Sequence, residues 1–508
     1  MKRSLFLFPF VPIAILFCYW TTRYGIGLSP DSLSYVATAR CLLEDKGFSV
    51  PFTEFLDTDD FTPLSHFPPV YPFVLTAFAA AAKTDPLLAA RWVPLLFFPL
   101  NVMLCSAAIF QLTRSRMLAI LGAALFLFSP EIIQAHFMSW SEPIFYLSVF
   151  VLLFFLAHYA EKSSAVWIIL VALAASFATL TRYAGFPLLL VASLTPLLSS
   201  DLTARKRVQH LLLFLPATIP LWLWLFRNML ATGTATSRSA SLNPIPFSSI
   251  AAGLDTISHW FLPSFLNSPE MGAMMIGVLI LMLLLIGPQE GVPRQSKVRL
   301  QIIFLLVAAY AGFVLLSLFL LTSIPLDGRL LSPAYALTIV FVAGSANIFR
   351  MSKTRHAIRL RTDKKIKIVL SICLMLFFFF FCRRGIDYVT SVTGGQGFAS
   401  AEWRNSPTIA AVGAGDFPGP LYTNAPALIS LYTRRTTKGI PIPYTSNQRV
   451  NVHWLAEAQS LGSELRRHHG TLVMLDNIPL LEPESELELL RLASLKLVRK
   501  LPDGRIYR

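Results

Sequence analysis

The chain has 508 residues, of which 55% are hydrophobic and only 14% are charged, and its mean hydropathy is +0.60. A soluble globular protein carries about 25% charged residues, so this composition excludes that class and predicts a polytopic helical membrane protein. The formal net charge of +15 does not indicate nucleic-acid binding, because the basic residues cluster in short loops between apolar segments, as topology signals do.

Eleven apolar segments are candidates for membrane spans. In chain order they are 4–22, 87–111, 117–133, 141–158, 165–180, 184–198, 209–227, 270–287, 299–321, 330–349 and 366–382. The first resembles a signal peptide but lacks a clean small-residue cleavage site, so it is interpreted as a retained span. The fifth and sixth are short and are separated by "TRYAG", which fits either a helical hairpin or one broken helix.

The basic residues predict how these spans are oriented. Most Lys and Arg residues fall in alternate loops: Lys2 and Arg3, Arg114 and Arg116, Lys162, Arg205 to Arg207, Arg294 to Arg299, and the run from Arg350 to Lys367. The positive-inside rule therefore places the N-terminus in the cytoplasm, and an odd number of spans places the C-terminus outside. Arg383 and Arg384, directly after the last span, are an exception to this bias.

The predicted organisation is a transmembrane domain, 1–382, followed by a soluble extracytoplasmic domain, 383–508. The first outer loop, 23–86, belongs to the former and contains interfacial helices. The C-terminal region alternates strand-like runs ("GPLYTN", "TLVMLDN", "LKLVRK", "GRIYR") with the helical "SELELLRLASL", which predicts a small α/β unit. The fold class is therefore mainly α: a polytopic transmembrane helical bundle with a small α/β domain.

Two carboxylates stand close to predicted span ends on the outer side. Asp31, in "GLSPDSLSYVATARCLLEDKGFSV" (27–50), precedes a helical pattern. It fits a helix N-cap at Asp31 or Ser32 and equally a general base. Glu142, in "SWSEP", fits a first-turn glutamate favoured by the helix dipole and equally a second acid or a ligand of a sugar hydroxyl.

Three basic side chains on the same side could hold an anion. Arg182 and Arg329 lie at span ends, where a charge costs several kcal/mol unless it is paired or hydrated. Arg182 could instead snorkel to the interface, and Arg329 could pair locally with Asp327. His66, beside two prolines, fits a structural role equally well. No His or Cys residues have metal-ligand spacing, so no metal site is predicted.

The order of several segments resembles the GT-C membrane glycosyltransferases. In particular it is similar to bacterial relatives of protein O-mannosyltransferases and of lipid A aminoarabinose transferases, in glycosyltransferase families 39 and 83. The segments are "PDSLSYVATARCLLEDKGF", "HFPPVYPFVLTAF", "SWSEPIFYLSVFVLLFFLA", "LTRYAGFPLLLVASL", "DGRLLSPAYAL" and "YTNAPALISLYTRR". Many of these relatives have Asp-Glu where this chain has Asp31-Ser32, and a lysine near the position of His66.

The resemblance implies a sugar donor carried on a polyprenyl phosphate and an active site at the outer face of a bacterial inner membrane. A phosphate leaving group departs without a proton if cations stabilise it. Direct, inverting displacement then needs one carboxylate to take the proton of a lipid, glycan or protein acceptor. The residues implied are Asp31 and Glu142 for catalysis, Arg329, Arg182 and His66 for the donor phosphate, and Tyr35, Tyr71 and Tyr183 for substrate binding. Some relatives use a divalent cation, so the resemblance leaves a cation cofactor open.

Two other functional classes stay open at this stage. A transporter or flippase of lipid-linked glycans predicts ionisable residues near span centres and often symmetry between halves, whereas the polar residues here crowd one face. A non-enzymatic membrane assembly protein explains a large outer domain. It does not explain why Asp31, Arg182 and Arg329 gather on one side.

Overall fold

The computed structural model of the chain describes residues 9–55, 59–199, 202–237, 242–320, 326–351, 364–392, 394–444 and 450–508. The chain forms two compact units. Unit 1 comprises Met1–Arg23, His66–Tyr71 and Arg91–Thr393, and unit 2 comprises Tyr24–Ser65, Pro72–Ala90 and Gly394–Arg508. The start of the first predicted span and most of the basic run 350–367 lie outside the described residues.

The described chain is mainly helical, with eight short strands. The helices are α1 (Phe10–Thr21), α2 (Pro30–Leu43), α3 (Val70–Ala82), α4 (Pro86–Ala89), α5 (Trp92–Thr113), α6 (Arg116–Leu127), α7 (Pro130–Phe137), α8 (Glu142–Lys162), α9 (Ala165–Thr181), α10 (Phe186–Leu198), α11 (Ala204–Phe214), α12 (Ile219–Thr232), α13 (Phe247–Ser258), α14 (Pro269–Ile286), α15 (Arg294–Leu320), α16 (Gly328–Met351), α17 (Lys364–Ser391), α18 (Ala401–Arg404), α19 (Pro407–Gly413), α20 (Pro426–Thr433), α21 (Trp454–Arg467) and α22 (Pro483–Leu492). The strands are β1 (Ser49–Val50), β2 (Phe52–Thr53), β3 (Thr62–Pro63), β4 (Leu421–Thr423), β5 (Thr437–Lys438), β6 (Thr471–Leu475), β7 (Leu497–Leu501) and β8 (Gly504–Tyr507).

Each of the predicted spans coincides with a helix or a pair of helices. Within the described residues, six helical stretches are long and apolar enough to cross a membrane, or seven if α6 and α7 form one broken span. Those two helices meet at a bend of 59°, where Ser129 caps α7 and Pro130 is its first residue, so the predicted segment 117–133 is not one straight helix. These lengths confirm a polytopic helical membrane protein but not the count of eleven spans.

The two short segments on either side of "TRYAG" form a helical hairpin, which decides between the two sequence alternatives. α9 ends at Thr181, and Tyr183–Gly185 make one turn of 3-10 helix before α10. A Cβ on Gly185 would lie 2.7 Å from the backbone of Ala178, so the turn can approach α9 this closely only with glycine. At the open end of the hairpin, the hydroxyls of Ser163 and Ser199 are 3.1 Å apart.

α16 occupies the interior of unit 1, and α14 lies at its periphery. Of the most apolar stretch of each helix, 89% is buried in α16 but only 11% in α14. A membrane helix whose apolar surface is not buried by protein is available to lipid. Because α16 is interior, its first residues lie among the ends of other helices. A charged side chain at that position needs partners.

Unit 2 contains a six-stranded sheet whose order is β2-β5-β4-β6-β8-β7. The pairings from β2 to β6 are parallel, and those of β8 with β6 and β7 are antiparallel. The strands β4, β6, β7 and β8 match the four predicted strand-like runs, which confirms the small sheet. The edge strand β2 comes from the first outer loop, which the sequence division had assigned together with the spans.

An arginine–aspartate pair ties three elements of unit 2 together. Arg40 of α2 makes two hydrogen bonds to Asp85, at 2.9 and 3.0 Å, and donates a third to the carbonyl of Leu431 in α20 at 2.7 Å. Asp85 also caps α4 through the N–H of Leu87. The side chains of Arg40 and Asp85 are only 15% and 14% exposed, so each needs the other to compensate for lost hydration.

We expect the ionised form of Asp85 to stabilise unit 2 at neutral pH. Burial would raise the pKa of Asp85, but the hydrogen bonds and charge of Arg40, the N–H of Leu87 and the charge of Arg434 outweigh it and hold the pKa below its ordinary value of 3.8. A lowered folded-state pKa contributes stability above the unfolded value, and this contribution is lost as the pH falls through the folded value. Thermal unfolding of the purified protein should show a lower midpoint for Asp85→Asn than for wild type at neutral pH, and the gap should close below pH 3.8.

The matched control is Asp416→Asn, which removes an exposed partner of Arg499 in the same unit. An exposed pair contributes about 1 kcal/mol or less, so this variant should follow wild type across the pH range. A gap for Asp85→Asn that stays constant with pH would show that its effect is not electrostatic.

Candidate functional site

Glu142 is the first residue of α8 and is fully buried. Pro143 follows it in the first turn, where the missing N–H of proline has no cost. The position confirms the first-turn interpretation, in which the positive end of the helix dipole favours a carboxylate. A helix dipole alone is not sufficient for a carboxylate with no exposed surface, which also needs hydrogen bonds and a counter-charge.

Two arginines that are distant in sequence supply these partners. Arg182, extended at the tip of the α9–α10 hairpin, forms an ion pair with Oε1 of Glu142. Arg329, the second residue of α16, places its Nε 2.5 Å from the same oxygen. The structure thus brings together three predicted site residues, and we call Glu142, Arg182 and Arg329 the Glu142 cluster. Asp327, the local partner considered for Arg329, accepts a hydrogen bond from the N–H of Leu330 at 3.0 Å.

The three side chains of the Glu142 cluster sum to one formal positive charge, because they are two guanidinium groups and one carboxylate. Both arginines contact Oε1, whereas Oε2 is buried and has no hydrogen-bond partner among the described residues. Both α8 and α16 begin at the Glu142 cluster, so the positive ends of two helix dipoles add to its charge. This end of the bundle is therefore electrostatically suited to an anion.

Aromatic and hydroxyl side chains hold Arg329 in place. Its guanidinium lies 4.0 Å from the centre of the Trp140 ring, a cation–π contact. Tyr146 donates to Ser332 at 2.6 Å, and Ser332 donates to the backbone carbonyl of Arg329 at 2.7 Å. These residues cannot be assigned from sequence, because the apolar pattern of α8 and α16 does not show which aromatic or hydroxyl group faces the cluster.

Tyr71 and His66 belong to a segment of the first outer loop, His66–Tyr71, that is part of unit 1. Tyr71 is buried, and its hydroxyl lies 3.0 Å from that of Ser139, in the segment that leads into Glu142. His66 is exposed and makes an edge-on contact with the ring of Phe67, with 4.8 Å between the ring centres. The structure therefore places Tyr71 next to the segment that carries the cluster.

Tyr183 follows Arg182 directly and is held by α12. Its hydroxyl accepts hydrogen bonds from the indole N–H of Trp224 at 3.0 Å and from Nδ2 of Asn228 at 3.4 Å. Asn228 is fully buried. Trp224 and Asn228 are not among the site residues predicted from sequence. The one sequence signal for them is that a polar residue, Asn228, directly follows the predicted span 209–227.

Arg384, an exception to the predicted charge bias, has partners in unit 1. Its Nη1 donates to the carbonyls of His259 and Leu262, at 2.7 and 3.1 Å, and its Nη2 lies 3.9 Å from Oε1 of Glu131. Glu131 is in turn held by the hydroxyl of Ser129 at 2.7 Å. Tertiary pairing therefore accounts for a basic residue that loop counting could not explain.

Asp31 lies in unit 2, as the second residue of α2, and is partly exposed. The N-cap of α2 is Ser29, which forms a reciprocal capping box with Ser32. The predicted N-cap at Asp31 or Ser32 is therefore wrong, since Ser29 already satisfies that position. Tyr35 follows one turn later and is buried. The carboxylate of Asp31 is thus not needed to cap the helix.

Metal binding has no support from the described residues. Among them, no group of three or more His, Cys, Asp or Glu side chains is arranged to hold a metal ion. The resemblance leaves a divalent cation open.

Comparisons with protein-family models and with curated proteins found no match. Solved structures do match over most of the chain. ArnT from Cupriavidus metallidurans, bound to undecaprenyl phosphate, aligns with 99% of this chain and 98% of its own at 13% identity, with a TM-score of 0.61. The mycobacterial arabinofuranosyltransferase AftD aligns with 99% of this chain and 39% of its own at 15% identity, with a TM-score of 0.57.

A third match is archaeal. The oligosaccharyltransferase AglB from Archaeoglobus fulgidus, in complex with an inhibitory peptide and a dolichol-phosphate, aligns with 92% of this chain and 69% of its own. The identity is 12% and the TM-score is 0.52. Likenesses at such low identity show a common fold.

The charge of Glu142 should be a main determinant of the stability of unit 1. Glu142→Gln keeps the shape of the side chain but removes the buried charge that Arg182 and Arg329 share, so we expect a loss of roughly 3–5 kcal/mol. Thermal or denaturant unfolding of the purified protein in detergent measures it. The control is Glu161→Gln on the same helix, whose carboxylate is 36% exposed and pairs with Arg299. It should cost about 1 kcal/mol or less. Equal losses in the two variants would contradict a special role for the Glu142 cluster.

Proposed function

We propose that this chain, which has the fold of the GT-C membrane glycosyltransferases, transfers a sugar from a polyprenyl-phosphate donor to an acceptor at the outer face of a bacterial inner membrane. In the reaction, the bond from the anomeric carbon to the phosphate oxygen breaks. A bond from an acceptor oxygen or nitrogen to that carbon forms on the opposite side, with inversion. The acceptor proton passes to Asp31, and the polyprenyl phosphate leaves as an anion.

The observation that carries this proposal is the net positive charge of the Glu142 cluster. A phosphate that gains negative charge as the sugar departs is stabilised by guanidinium groups already held in place. Arg182 and Arg329 are fixed by Glu142 before any ligand binds, so binding does not have to order two long side chains. In this proposal Glu142 is a positioning residue rather than a second acid, because it is fully buried between both arginines.

The direction of the helices supports the outer face as the location. α8 and α16 begin at the Glu142 cluster and α9 ends there, whereas the opposite ends of α8 and α16 carry Lys162 and Arg350. The positive-inside rule assigns the more basic end to the cytoplasm. The cluster then belongs to the outer end, and the N-terminus of the chain to the cytoplasm.

Asp31 is the proposed general base. The capping box of Ser29 and Ser32 satisfies the start of α2, so the helix does not need the carboxylate of Asp31 as its cap. In the same proposal, His66 assists the donor phosphate, and Tyr35, Tyr71 and Tyr183 contribute to substrate binding. The acceptor is a lipid, a glycan or a protein, and the proposal includes eleven spans, with α1, α9, α10 and α17 also crossing the membrane.

Replacing Asp31 should abolish sugar transfer without affecting folding. Asp31→Asn removes the proton acceptor, and a general base typically contributes a factor of about 10²–10⁴ to the rate. Transfer is measured by mass analysis of glycolipids and cell-surface glycans from cells that carry either variant. The control is Asp45→Asn, an exposed aspartate just beyond the other end of α2. Asp45 has a φ of 58°, which asparagine tolerates. An unaltered transfer rate in Asp31→Asn would remove the proposed mechanism.

Replacing Arg329 should weaken donor binding more than it weakens folding. In Arg329→Gln the remaining pair, Glu142 and Arg182, is electrically neutral, so no buried charge is left unpaired, but the net positive charge is gone. A hydrogen bond to a charged group is worth about 1.5–3 kcal/mol, so we expect the KM for the polyprenyl-phosphate sugar to rise roughly tenfold or more. Steady-state kinetics with the purified enzyme test this, with the acceptor KM as internal control. A donor KM equal to that of wild type would show that Arg329 is only structural.

A further inference from the structure

Unit 1 contains a cavity at the end of the bundle opposite to the Glu142 cluster. It is about 950 Å³ in volume, including space open to solvent, and lies between the last turns of α8, the end of α10 and the start of α15. Its walls include Leu156 and Tyr159 from α8, Leu198 and Ser199 at the end of α10, and Arg294 from α15. The proposed function makes no use of this cavity.

The cavity has a polar mouth and an apolar floor. Arg294 and Ser199 lie at the helix ends, whereas Leu156 lies six residues, or about 9 Å, before the end of α8. A second, much narrower cavity shares Leu156 and Ile302 as wall residues and is lined mostly by aliphatic side chains of α5, α8 and α15. Its volume of about 420 Å³ likewise includes space open to solvent. Together the two cavities have the shape and polarity of a site for an amphiphile.

The charges around the mouth favour an anion. Arg294 is exposed and has no hydrogen bond or ion pair within the described residues. Arg207 donates to the carbonyl of Ser199 at 2.8 Å, and its Nε is buried without a partner there. Arg299 lines the narrower cavity and pairs with Glu161 at 2.6 Å, and its Nε is likewise buried without a partner. Among the described residues, three guanidinium groups thus surround the site, and Glu161 pairs with one of them.

The surface beside the mouth favours a lipid over a soluble anion. Leu198 lines the cavity and is 46% exposed, and Leu194 and Leu197 on α10 are exposed beside it. In a membrane protein such an apolar surface faces acyl chains. A basic pocket between helices at the cytoplasmic side is a recognised setting for anionic lipid head groups. A lipid could therefore enter from the side, with its phosphate at Arg294 and one chain along Leu156 and Ile302.

We propose that this cavity binds one anionic phospholipid of the cytoplasmic leaflet, with Arg294 as the principal contact of its phosphate. The site is separate from the donor site, and its occupant is a structural lipid that fills the space between α8, α10 and α15. The proposal does not depend on the sugar-transfer reaction.

The test is lipid retention by the full-length protein in mild detergent, measured by native mass spectrometry. Phosphatidylglycerol, phosphatidylcholine and undecaprenyl phosphate are each titrated separately. Wild type should retain one phosphatidylglycerol with at least about tenfold higher affinity than phosphatidylcholine, and Arg294→Ala should lose about tenfold of that affinity. Arg205→Ala is the control, because it removes the same charge from an exposed position on α11 that does not line the cavity.

A second variant tests the cavity instead of the charge. Ala160 is half-buried in the cavity wall, and Ala160→Trp should fill the space and displace the lipid without changing any charge. A thermal unfolding midpoint equal to that of wild type, with undecaprenyl phosphate added to both proteins, would show that this variant is folded. Equal retention of phosphatidylglycerol by wild type, Arg294→Ala and Ala160→Trp would overturn the proposal. Loss of undecaprenyl phosphate retention in Arg294→Ala and Ala160→Trp would also overturn it, since the cavity would then be a donor site.

Discussion

The sharing of one buried carboxylate by two guanidinium groups is the interaction on which the candidate site depends. Glu142 has no exposed surface, and both Arg182 and Arg329 contact its Oε1. Charges in such surroundings are tolerated only as a paired group, so the start of α8, the tip of the α9–α10 hairpin and the start of α16 must meet. The same contact fixes three helix ends and sums to one formal positive charge, which under the proposed function stabilises the donor phosphate.

Around this contact, the arrangement of unit 1 follows from the cost of polar groups in hydrocarbon. Its helices satisfy their own backbone, and its charged side chains gather at the two ends of the bundle. The two ends differ in character. One has the Glu142 cluster with Trp140, Tyr71 and Tyr183 nearby, whereas the other has several arginines and one paired glutamate. The first suits a reaction at a phosphate, and the second suits retention of an anionic lipid.

Unit 2 shows how segments that are distant in sequence build one structure. Its sheet takes a two-residue edge strand, β2, from the first outer loop and the other strands from beyond Gly394. The pairing of Arg40 with Asp85 connects α2 to α4, and the bond of Arg40 to Leu431 connects α2 to α20. These contacts give α2, and with it Asp31, a defined place within the unit.

The sequence by itself determined the membrane class, the positions of the long helices and four of the strands, because hydropathy and alternation are local properties of the chain. It also identified Glu142, Arg182 and Arg329 as individual candidates. Only the tertiary structure decided that these three share one contact, that Ser29 and not Asp31 caps α2, and that Arg384 has a partner in Glu131. It also placed β2 in the sheet. The reason is physical: a two-residue strand has no periodicity, and the partner of a buried charge is chosen by packing between distant segments, which no local pattern records.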